Sequence, residues 1–403
     1  MVMAHVAEQA FIVVSFLLAC AWLWKAVAAL RGMPTLHDLT RIDAGTLPSL
    51  PAGDAPHLTV IVPACNEEES IQETLRSLLA STGLRLQIIA VDDRSTDRTG
   101  ERMEAVANEI LARDSLHSLQ VIHLTELPAG WLGKPHAMAL AAREAKSPWL
   151  LFTDGDAVFQ PRALELALRF AVEQSSDHLV LAPTLLLHSV AEAAVYGAFL
   201  TAGLWVSRLW KVADARAPDF VGTGAFNLVR REAYEHLGGF EALRMEVIED
   251  ARLGWRFKRA GFRQRVAVGP GLVKLRWIFG AFGIVVNLEK NGFASFRYRP
   301  GVALLACVGL TVQVFWPLAA LATGGWASVA GLLIYVSIAL VYAASHRIAQ
   351  VSPWLALFYA PATAVLLFAF MRSMVLTLVR NGVEWRGTRY PLDELRKHAG
   401  RGW

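Results

Sequence analysis

Cysteine and charge are both scarce in this sequence. Its 403 residues include three cysteines, Cys20, Cys65 and Cys307, whose positions match neither a disulfide framework nor a zinc motif. Charged residues make up 18% of the chain, and the net charge is only +4. The basic residues gather around residues 208–299 and in the tail after Arg372, without an interleaved aromatic stripe, which argues against a nucleic-acid partner. Anionic lipid head groups fit such clusters better.

The sequence has no internal repeat and no low-complexity tract, whereas apolar residues are abundant. Hydrophobic residues make up 54% of the chain and the mean hydropathy is +0.38, which soluble globular proteins rarely reach. The chain is also too long for one ordinary domain. We therefore expect membrane segments beside a folded domain.

The first apolar run extends from Ala10 to about Leu30 and is long enough to cross a hydrocarbon core of about 30 Å. A cleaved signal peptide is disfavoured, because no positively charged segment precedes the run and no clear small-residue cleavage site follows it. Lys25 and Arg31 lie at its far end, so the positive-inside rule places the next domain in the cytoplasm.

The remaining sequence divides by its hydrophobic pattern. We predict an N-terminal transmembrane anchor (1–33), a linker (34–56), a central α/β domain (57–270), an interfacial helical segment (271–300), transmembrane helices (301–379) and a basic tail (380–403). Within the central domain strand and helix patterns alternate, which is typical of a mostly parallel sheet with helices on both faces.

One strand of that sheet, Trp149–Phe152, is followed closely by Asp154-Gly155-Asp156. The pattern indicates a buried strand that brings two carboxylates to its carboxyl end, where open α/β sheets bind ligands. Since Gly155 permits a tight turn, both carboxylates can face one Mg²⁺ or Mn²⁺ ion, whose other ligands are commonly water and substrate phosphates. A plain polar turn would show the same residues, so the motif alone leaves both interpretations open.

Two other predicted strands end in polar residues, one at Asn66-Glu67 and one at Asp92-Asp93. The carboxyl ends of parallel strands lie at one edge, so we expect these groups to meet the Asp-Gly-Asp turn in one crevice. So many like charges require a cationic partner. Lys134, in a glycine-flanked loop, is a candidate to bind a diphosphate there; alone, it would be interpreted as a solvated lysine.

The order and spacing of these motifs resemble the family 2 glycosyltransferases, which have a GT-A nucleotide-diphospho-sugar transferase fold. The resemblance covers about residues 57–268. It is carried by Val62–Glu68 (VPACNEE), Val91–Asp97 (VDDRSTD), Gly133-Lys134 and Asp154–Asp156. The PAGWLGK loop ending at Lys134 and the membrane layout are similar to the lipid-directed members, namely hopanoid-associated, carotenoid and ceramide glycosyltransferases.

The resemblance implies where the donor would bind. The nucleoside side would be lined by Pro63, Asn66 and Glu67, the base or ribose contacted by Asp93 beside Asp92, and the diphosphate bound by Lys134 and a divalent metal on Asp154 and Asp156. Cys65 departs from the Arg or Tyr common at its position and is expected only to adjust packing.

Two later segments are candidates for acceptor and base. Asp219–Phe226 contains Gly222-Thr223-Gly224, which suits close backbone approach to a ligand but equally a turn into a strand. Glu249-Asp250 begins an amphipathic helix, where acids also favour the helix dipole. By the resemblance, Asp250 stands at the position of the catalytic base, with Glu249 beside it.

Arg276-Trp277 is similar to the end of the Gln-x-x-Arg-Trp motif of processive synthases, but Val273 stands where the glutamine would be. Chain polymerisation is therefore put in doubt. Arg276 is a candidate for a phosphate contact, and a position at the membrane surface beside Trp277 explains it equally well.

The remaining apolar segments concern the membrane. We predict helices in the interface at 278–298 and, with a core helix as the alternative, at 190–210. Spanning segments are predicted at 302–321, 326–344 and 353–378. Three crossings would leave the tail outside, whereas its basic residues favour the cytoplasm. The sequence leaves this conflict open. These basic residues are Arg380, Arg386, Arg389, Arg396, Lys397 and Arg401.

The sequence thus predicts a multi-pass enzyme of the cell (inner) membrane with a cytoplasmic catalytic domain. It would transfer a single sugar, with inversion, from a nucleotide-diphosphate sugar to a lipid acceptor, with Mg²⁺ or Mn²⁺ and with Asp250 as base. Two rival interpretations are a processive polysaccharide synthase and a non-catalytic scaffold that binds a nucleotide sugar.

Overall fold

The computed structural model describes residues 2–111 and 116–399. These residues form two compact units. The helical unit comprises the described residues within 1–36, 187–210 and 277–381, and the sheet unit comprises those within 37–186, 211–276 and 382–403. The predicted tail residue Arg401 lies outside the described residues.

Helices and strands are numbered in chain order. The helices are α1 (Val2–Gly32), α2 (Ile71–Leu79), α3 (Thr99–Leu111), α4 (Gly133–Arg143), α5 (Ala163–Glu173), α6 (Val190–Val206), α7 (Arg231–His236), α8 (Glu249–Arg259), α9 (Gly283–Ser295), α10 (Pro300–Thr323), α11 (Gly325–Ala349), α12 (Tyr359–Val379) and α13 (Leu392–His398). The strands are β1 (His37–Asp38), β2 (Leu58–Ala64), β3 (Leu86–Asp93), β4 (Ser118–Leu124), β5 (Trp149–Phe152), β6 (Val158–Phe159), β7 (His178–Ala182), β8 (Thr184–Leu185), β9 (Asn227–Arg230), β10 (Gln264–Val268), β11 (Val273–Leu275), β12 (Gly382–Trp385) and β13 (Thr388–Pro391).

The sheet unit is built on eight strands in the order β1-β10-β7-β9-β5-β2-β3-β4. All neighbours are parallel except β9, which runs antiparallel to both β5 and β7. Every residue of β2 and β5 is buried, as expected for central strands covered on both faces. The predicted α/β class with a mostly parallel sheet and flanking helices is confirmed.

Strand β2 continues through Pro63 to Ala64, although proline lacks an N–H and commonly ends a central strand. The pairing with β5 ends at Ile61, opposite Phe152, whereas the pairing with β3 continues to Ala64. At Pro63 the strand no longer has β5 beside it. The N–H that proline lacks is therefore not needed for a hydrogen bond to β5. The proline therefore lies inside the strand, directly before the polar residues at its end.

The sheet unit includes two segments for which the sequence predicts no regular structure. His37-Asp38, in the predicted linker, pairs with β10 at the edge of the main sheet. The predicted basic tail forms the antiparallel hairpin β12–β13, followed by α13. In α13, Leu392 and Leu395 are buried, so apolar contacts hold the tail to the rest of the sheet unit.

The helical unit consists of α1, α6 and α9 to α12. Its interior is apolar, and Trp22 lies edge-on to both Trp205 and Tyr359. Within the described residues, five helical stretches are long and apolar enough to cross a membrane, namely Val2–Thr35, Val190–Lys211, Pro300–Thr323, Gly325–Ala349 and Pro353–Val379. Helix α9, in the segment predicted to lie in the interface, is not one of the five.

Candidate active site

The centre of the site is the ammonium group of Lys134, in the first turn of α4. Its Nζ lies 2.6 Å from Oδ1 of Asp154 and 2.7 Å from Oε1 of Glu249. Burial disfavours a charge here, but the carboxylates of Asp154, Glu249 and Asp250 outweigh it and raise the pKa of Lys134 above its ordinary value. Three motifs that are far apart in sequence therefore meet around one cation.

Asp154 and Asp156 follow β5 as predicted, on either side of Gly155. The Thr74 hydroxyl donates to the carbonyl oxygen of Gly155 at 2.9 Å and fixes the turn. Burial, followed by the charges of Asp154 and Glu67, raises the pKa of Asp156 to about 7. Asp156 therefore lies among like charges that a cation would relieve.

Glu249 and Asp250 are the first two residues of α8, where the helix dipole favours negative charge. The Glu249 side chain is only 5% exposed and pairs with Lys134. Asp250 is mostly but not fully buried, and its Oδ1 accepts a hydrogen bond from the N–H of Ala251 at 2.7 Å. Burial and the neighbouring Glu249 raise the pKa of Asp250 to about 6.

The Gly222-Thr223-Gly224 segment packs directly against these acids. A Cβ atom on Gly224 would lie 2.3 Å from Oδ2 of Asp154, and one on Gly222 would lie 1.9 Å from the carbonyl oxygen of Asp250. The two glycines are thus required by the close approach of this loop to the acidic residues. The N–H of Thr223 donates to Oδ1 of Asn227 at 3.4 Å.

Asn66 and Glu67 connect the loop after β2 to the loop after β3. Oδ1 of Asn66 accepts from the N–H of Thr96 at 2.8 Å, and the Asn66 backbone is left-handed, with φ 57°. The N–H of Glu67 donates to the Thr99 hydroxyl at 2.7 Å, and burial raises the pKa of the Glu67 carboxyl. The charge of Glu67 lies close enough to raise the pKa of Asp156. The side chain of Asn66 instead forms a hydrogen bond between the two loops.

Asp92 and Asp93 point in opposite directions, because adjacent residues of a strand face opposite sides of a sheet. Oδ2 of Asp92 contacts Nδ1 of His123 at 3.1 Å, and both residues line an open, acidic cavity of about 670 Å³ beside α3. Asp93 is fully buried. Its Oδ1 accepts from Nε of Arg94 and its Oδ2 from Nη1 of Arg386, each at 2.9 Å.

The two arginines on Asp93 are not among the residues predicted from the sequence. Arg94 lies inside the Val91–Asp97 motif, so the sequence offered a signal from which its side chain could have been assigned to the site. Arg386 belongs to the predicted tail, almost three hundred residues downstream, and no local pattern connects it to Asp93.

Arg276 and Trp277 lie in different units. In the small sheet of β6, β11 and β8, Val273 pairs with Phe159 and Lys274 with Val158 in antiparallel register. The same register continued by two residues would place Arg276 opposite Asp156. The Trp277 ring instead packs against Phe199 in the apolar interior of the helical unit, with ring centroids 5.1 Å apart.

The predicted metal ligands, Asp154 and Asp156, can be compared with the other side chains that could bind a metal nearby. Within residues 2–111 and 116–399, no group of three His, Cys, Asp or Glu side chains is arranged to hold a metal ion. Mg²⁺ and Mn²⁺ commonly take one or two carboxylates and complete their shell with water and phosphate oxygens. Asp154 and Asp156, crowded by like charge, fit that kind of site.

Known proteins are similar to this chain in sequence or in fold. The model of Glycosyl transferase family 2 matches residues 59–238. A 4,4'-diaponeurosporenoate glycosyltransferase of Staphylococcus haemolyticus is 25% identical over 236 residues, 57% of this chain and 59% of that protein. The poly(ribitol-phosphate) beta-N-acetylglucosaminyltransferase TarS of Staphylococcus aureus is 34% identical over 125 residues, 30% of this chain and 20% of that protein.

Among solved structures, the mannosyltransferase PcManGT from Pyrobaculum calidifontis, in complex with GDP-Man and Mn²⁺, superposes with a TM-score of 0.50 and 17% identity. The superposition covers 92% of this chain and 99% of PcManGT. At this identity the similarity is one of fold, and it confirms the predicted GT-A architecture. The chain spans less than two thirds of the length of either named relative. Over residues 59–238, somewhat less than half of its length, the chain carries a domain that matches Glycosyl transferase family 2.

Proposed function

We propose that this protein is an inverting glycosyltransferase that moves one sugar from a nucleotide-diphosphate donor to a membrane lipid at the cytoplasmic face. The observation that carries the proposal is the ammonium of Lys134, which pairs with both Asp154 and Glu249 beside Asp250. One cation thus holds together the residues assigned to the donor diphosphate and those assigned to the base.

The proposed reaction is a single displacement at the anomeric carbon of the donor sugar. A bond forms from the acceptor hydroxyl oxygen to that carbon, the bond from carbon to diphosphate oxygen breaks, and the nucleoside diphosphate leaves with the electron pair. The hydroxyl proton passes to Asp250. With a pKa of about 6, Asp250 is mostly ionised at neutral pH and is more basic than an ordinary aspartate. One displacement inverts the anomeric centre.

Asp154 and Asp156 would hold the divalent ion, as their crowding with Glu67 favours. When bound, such an ion neutralises the charge that develops on the departing diphosphate. Lys134 keeps the Asp154 carboxylate oriented through its 2.6 Å contact. The fold relative PcManGT, whose structure contains GDP-Man and Mn²⁺, supports this class of donor and metal.

A lipid acceptor at a membrane agrees with the apolar helices and with the relative named for diaponeurosporenoate, a carotenoid-type acceptor. Chain connectivity supports a particular proposal for the topology. The chain leaves the sheet unit after Leu186 and returns at Lys211, and it leaves again after Arg276 and returns at Gly382. Both times the chain leaves one folded unit and rejoins the same unit. We therefore infer that each of the two segments between, 187–210 and 277–381, crosses the membrane an even number of times.

On this topology, α6 is not a single crossing and two of the three long C-terminal stretches would span the membrane. The basic tail then lies on the side of the catalytic domain, which agrees with its charge and removes the conflict left by the sequence. The positive charges of Lys25 and Arg31 at the end of α1 support the cytoplasm as that side.

The two rival functions make different demands on the structure. A polysaccharide synthase is suggested by the local similarity to TarS, a polymer-directed enzyme by name. However, Val273, at the position of the synthase glutamine, is a fully buried residue of β11. A non-catalytic scaffold would not require Asp154, Asp156, Glu249 and Asp250 to converge on one lysine.

The proposed base can be tested with Asp250→Asn, which keeps the shape of the side chain and removes its basicity. We expect sugar transfer to fall by about 10²–10⁴-fold because the hydroxyl proton has no acceptor. Binding of the nucleoside diphosphate should change little. Asp54→Asn, at a carboxylate whose side chain is 97% exposed, is the matched control. A transfer rate in Asp250→Asn equal to that of wild type would refute the assignment.

The raised pKa of Asp250 also predicts the pH dependence of the reaction. The base must be ionised, so kcat/KM should be constant above about pH 6 and fall about tenfold per unit below it. The profile should be recorded at saturating Mn²⁺, since a bound cation keeps Asp156 ionised across this range. An acidic limb at the ordinary aspartate pKa near 4 would contradict the desolvation of Asp250.

Gly224→Ala tests the close packing of the loop on Asp154. The new methyl group would overlap the Asp154 carboxylate and displace it, so we expect about 100-fold slower transfer, the usual effect of a shift of about 1 Å in a reactive group. Gly203→Ala, where a Cβ meets no atom within 4 Å, is the control and should keep wild-type activity. Equal rates for both variants would show that Asp154 is not positioned by this contact.

The product can be identified by mass spectrometry of lipids from cells that make either the wild-type chain or Asp250→Asn. We expect one lipid class that gains a single sugar only with the wild-type chain. In isolated membranes, removal of divalent cations should stop the transfer and added Mn²⁺ should restore it. A ladder of sugar increments would instead identify a polymerising synthase, and transfer that survives full cation removal would exclude the metal assignment.

A further inference from the structure

The C-terminal hairpin has an unusual residue at its turn. Strands β12 and β13 are joined by Arg386 and Gly387, with φ values of 50° and 69°. Positive φ at both central residues is the type I′ geometry, which favours Asn, Asp or Gly at the first position. An arginine is unfavourable in the left-handed region, so its presence suggests that the side chain is needed at this place.

The Arg386 side chain reaches the ends of two central strands. Its Nη1 donates to Oδ2 of Asp93, at the end of β3, at 2.9 Å, and its Nη2 donates to the carbonyl oxygen of Pro63, in β2, at 3.4 Å. The Arg386 side chain is 13% exposed and the Asp93 side chain is fully buried. This is a charge-assisted contact with a carboxylate that cannot remain unpaired without a large desolvation cost.

Two more hydrogen bonds connect the hairpin to the same region. Nη1 of Arg94 donates to the Thr388 hydroxyl at 3.0 Å. The N–H of Gly133, at the start of α4, donates to the Tyr390 hydroxyl at 3.3 Å. The hairpin therefore contacts three of the motif regions from which the donor site is built, including the residue next to Lys134.

The hairpin is packed as a permanent part of the sheet unit. Val383 and Tyr390 are 4% and 5% exposed, and Leu395 of the following helix is fully buried. A latch that opens and closes would have to expose these side chains each time. The charge of Arg386 also acts on the neighbouring loop, where it opposes the effect of burial on the pKa of Glu67 and of Cys65.

We propose that this hairpin is the wall of the donor site at its nucleoside end and that Arg386 is a positioning residue, which fixes Asp93 and the ends of β2 and β3 for a bound nucleoside diphosphate. The inference rests on the proposed function, since it assumes a nucleotide-diphosphate donor. Arg386 then affects donor binding much more than the chemical step.

The test is calorimetric titration of UDP and of GDP, each with Mn²⁺, into the full-length protein in detergent, with wild type and Arg386→Gln compared. Loss of one partner of a buried charge pair should weaken binding of the preferred nucleotide about 10- to 100-fold. With the cognate sugar donor, KM for the donor should rise by a similar factor while kcat stays within about threefold. Arg386→Lys should recover part of the loss, because it keeps the charge without the planar guanidinium.

Arg389→Gln is the matched control, since Arg389 lies on the same hairpin, is exposed and is registered opposite Glu384. It should bind nucleotide as wild type does. If Arg386→Gln does not fold, Tyr390→Phe provides the second variant: it removes only the hydroxyl that holds Gly133, and about fivefold weaker binding is expected.

Three results would overturn the inference. Unchanged nucleotide affinity in Arg386→Gln would show that the hairpin has no role in donor binding, and tighter binding would show that it blocks the site. A parallel loss of kcat and melting temperature, without a rise in donor KM, would reduce Arg386 to a structural residue. Failure of the wild-type protein to bind either nucleotide would instead refute the proposed function itself, and the variants are not needed to recognise that case.

Discussion

The sheet unit depends on a largely buried ammonium group held between two carboxylates. Lys134 comes from the start of α4, Asp154 from the end of β5 and Glu249 from the start of α8, so the ion pairs fix three elements relative to one another. A charge in a buried place is costly to desolvate and is tolerated only when its partners are close. Loss of Lys134 would remove the cation that pairs with both Asp154 and Glu249.

The two ends of the donor site differ in charge. At the proposed nucleoside end two arginines, Arg94 and Arg386, bind the carboxylate of Asp93. At the other end carboxylates outnumber the one ammonium, and their mutual repulsion contributes to the raised pKa values of Asp156 and Asp250. A diphosphate cannot approach that excess of negative charge alone. The divalent cation proposed for the carboxylate end would offset this charge, whereas two arginines already supply positive charge at the proposed nucleoside end.

Sequence reasoning located those parts of the site that lie in short, ordered motifs. Asp154 and Lys134 could be brought together from the rule that parallel strands end at one edge, whereas Glu249 was placed beside them only by the family resemblance. The rule does not say which of two adjacent acids faces the site, and Asp92 lies on the other side of β3 from Asp93. It also could not find Arg386, because a contact between distant segments is set by the packing of the hairpin and leaves no periodic pattern in the sequence.

The small sheet bears on whether the product is one sugar or many. Strand β6 begins two residues after Asp156, and it pairs with β11, which ends one residue before Arg276. Between them Val273 and Phe159 are neighbours in a buried apolar layer. A glutamine in place of Val273 would bury an amide whose hydrogen bonds this layer has no evident means to satisfy, at a cost of about 1–3 kcal/mol. The position of the synthase glutamine is thus occupied in this chain by an apolar residue that packs in the core.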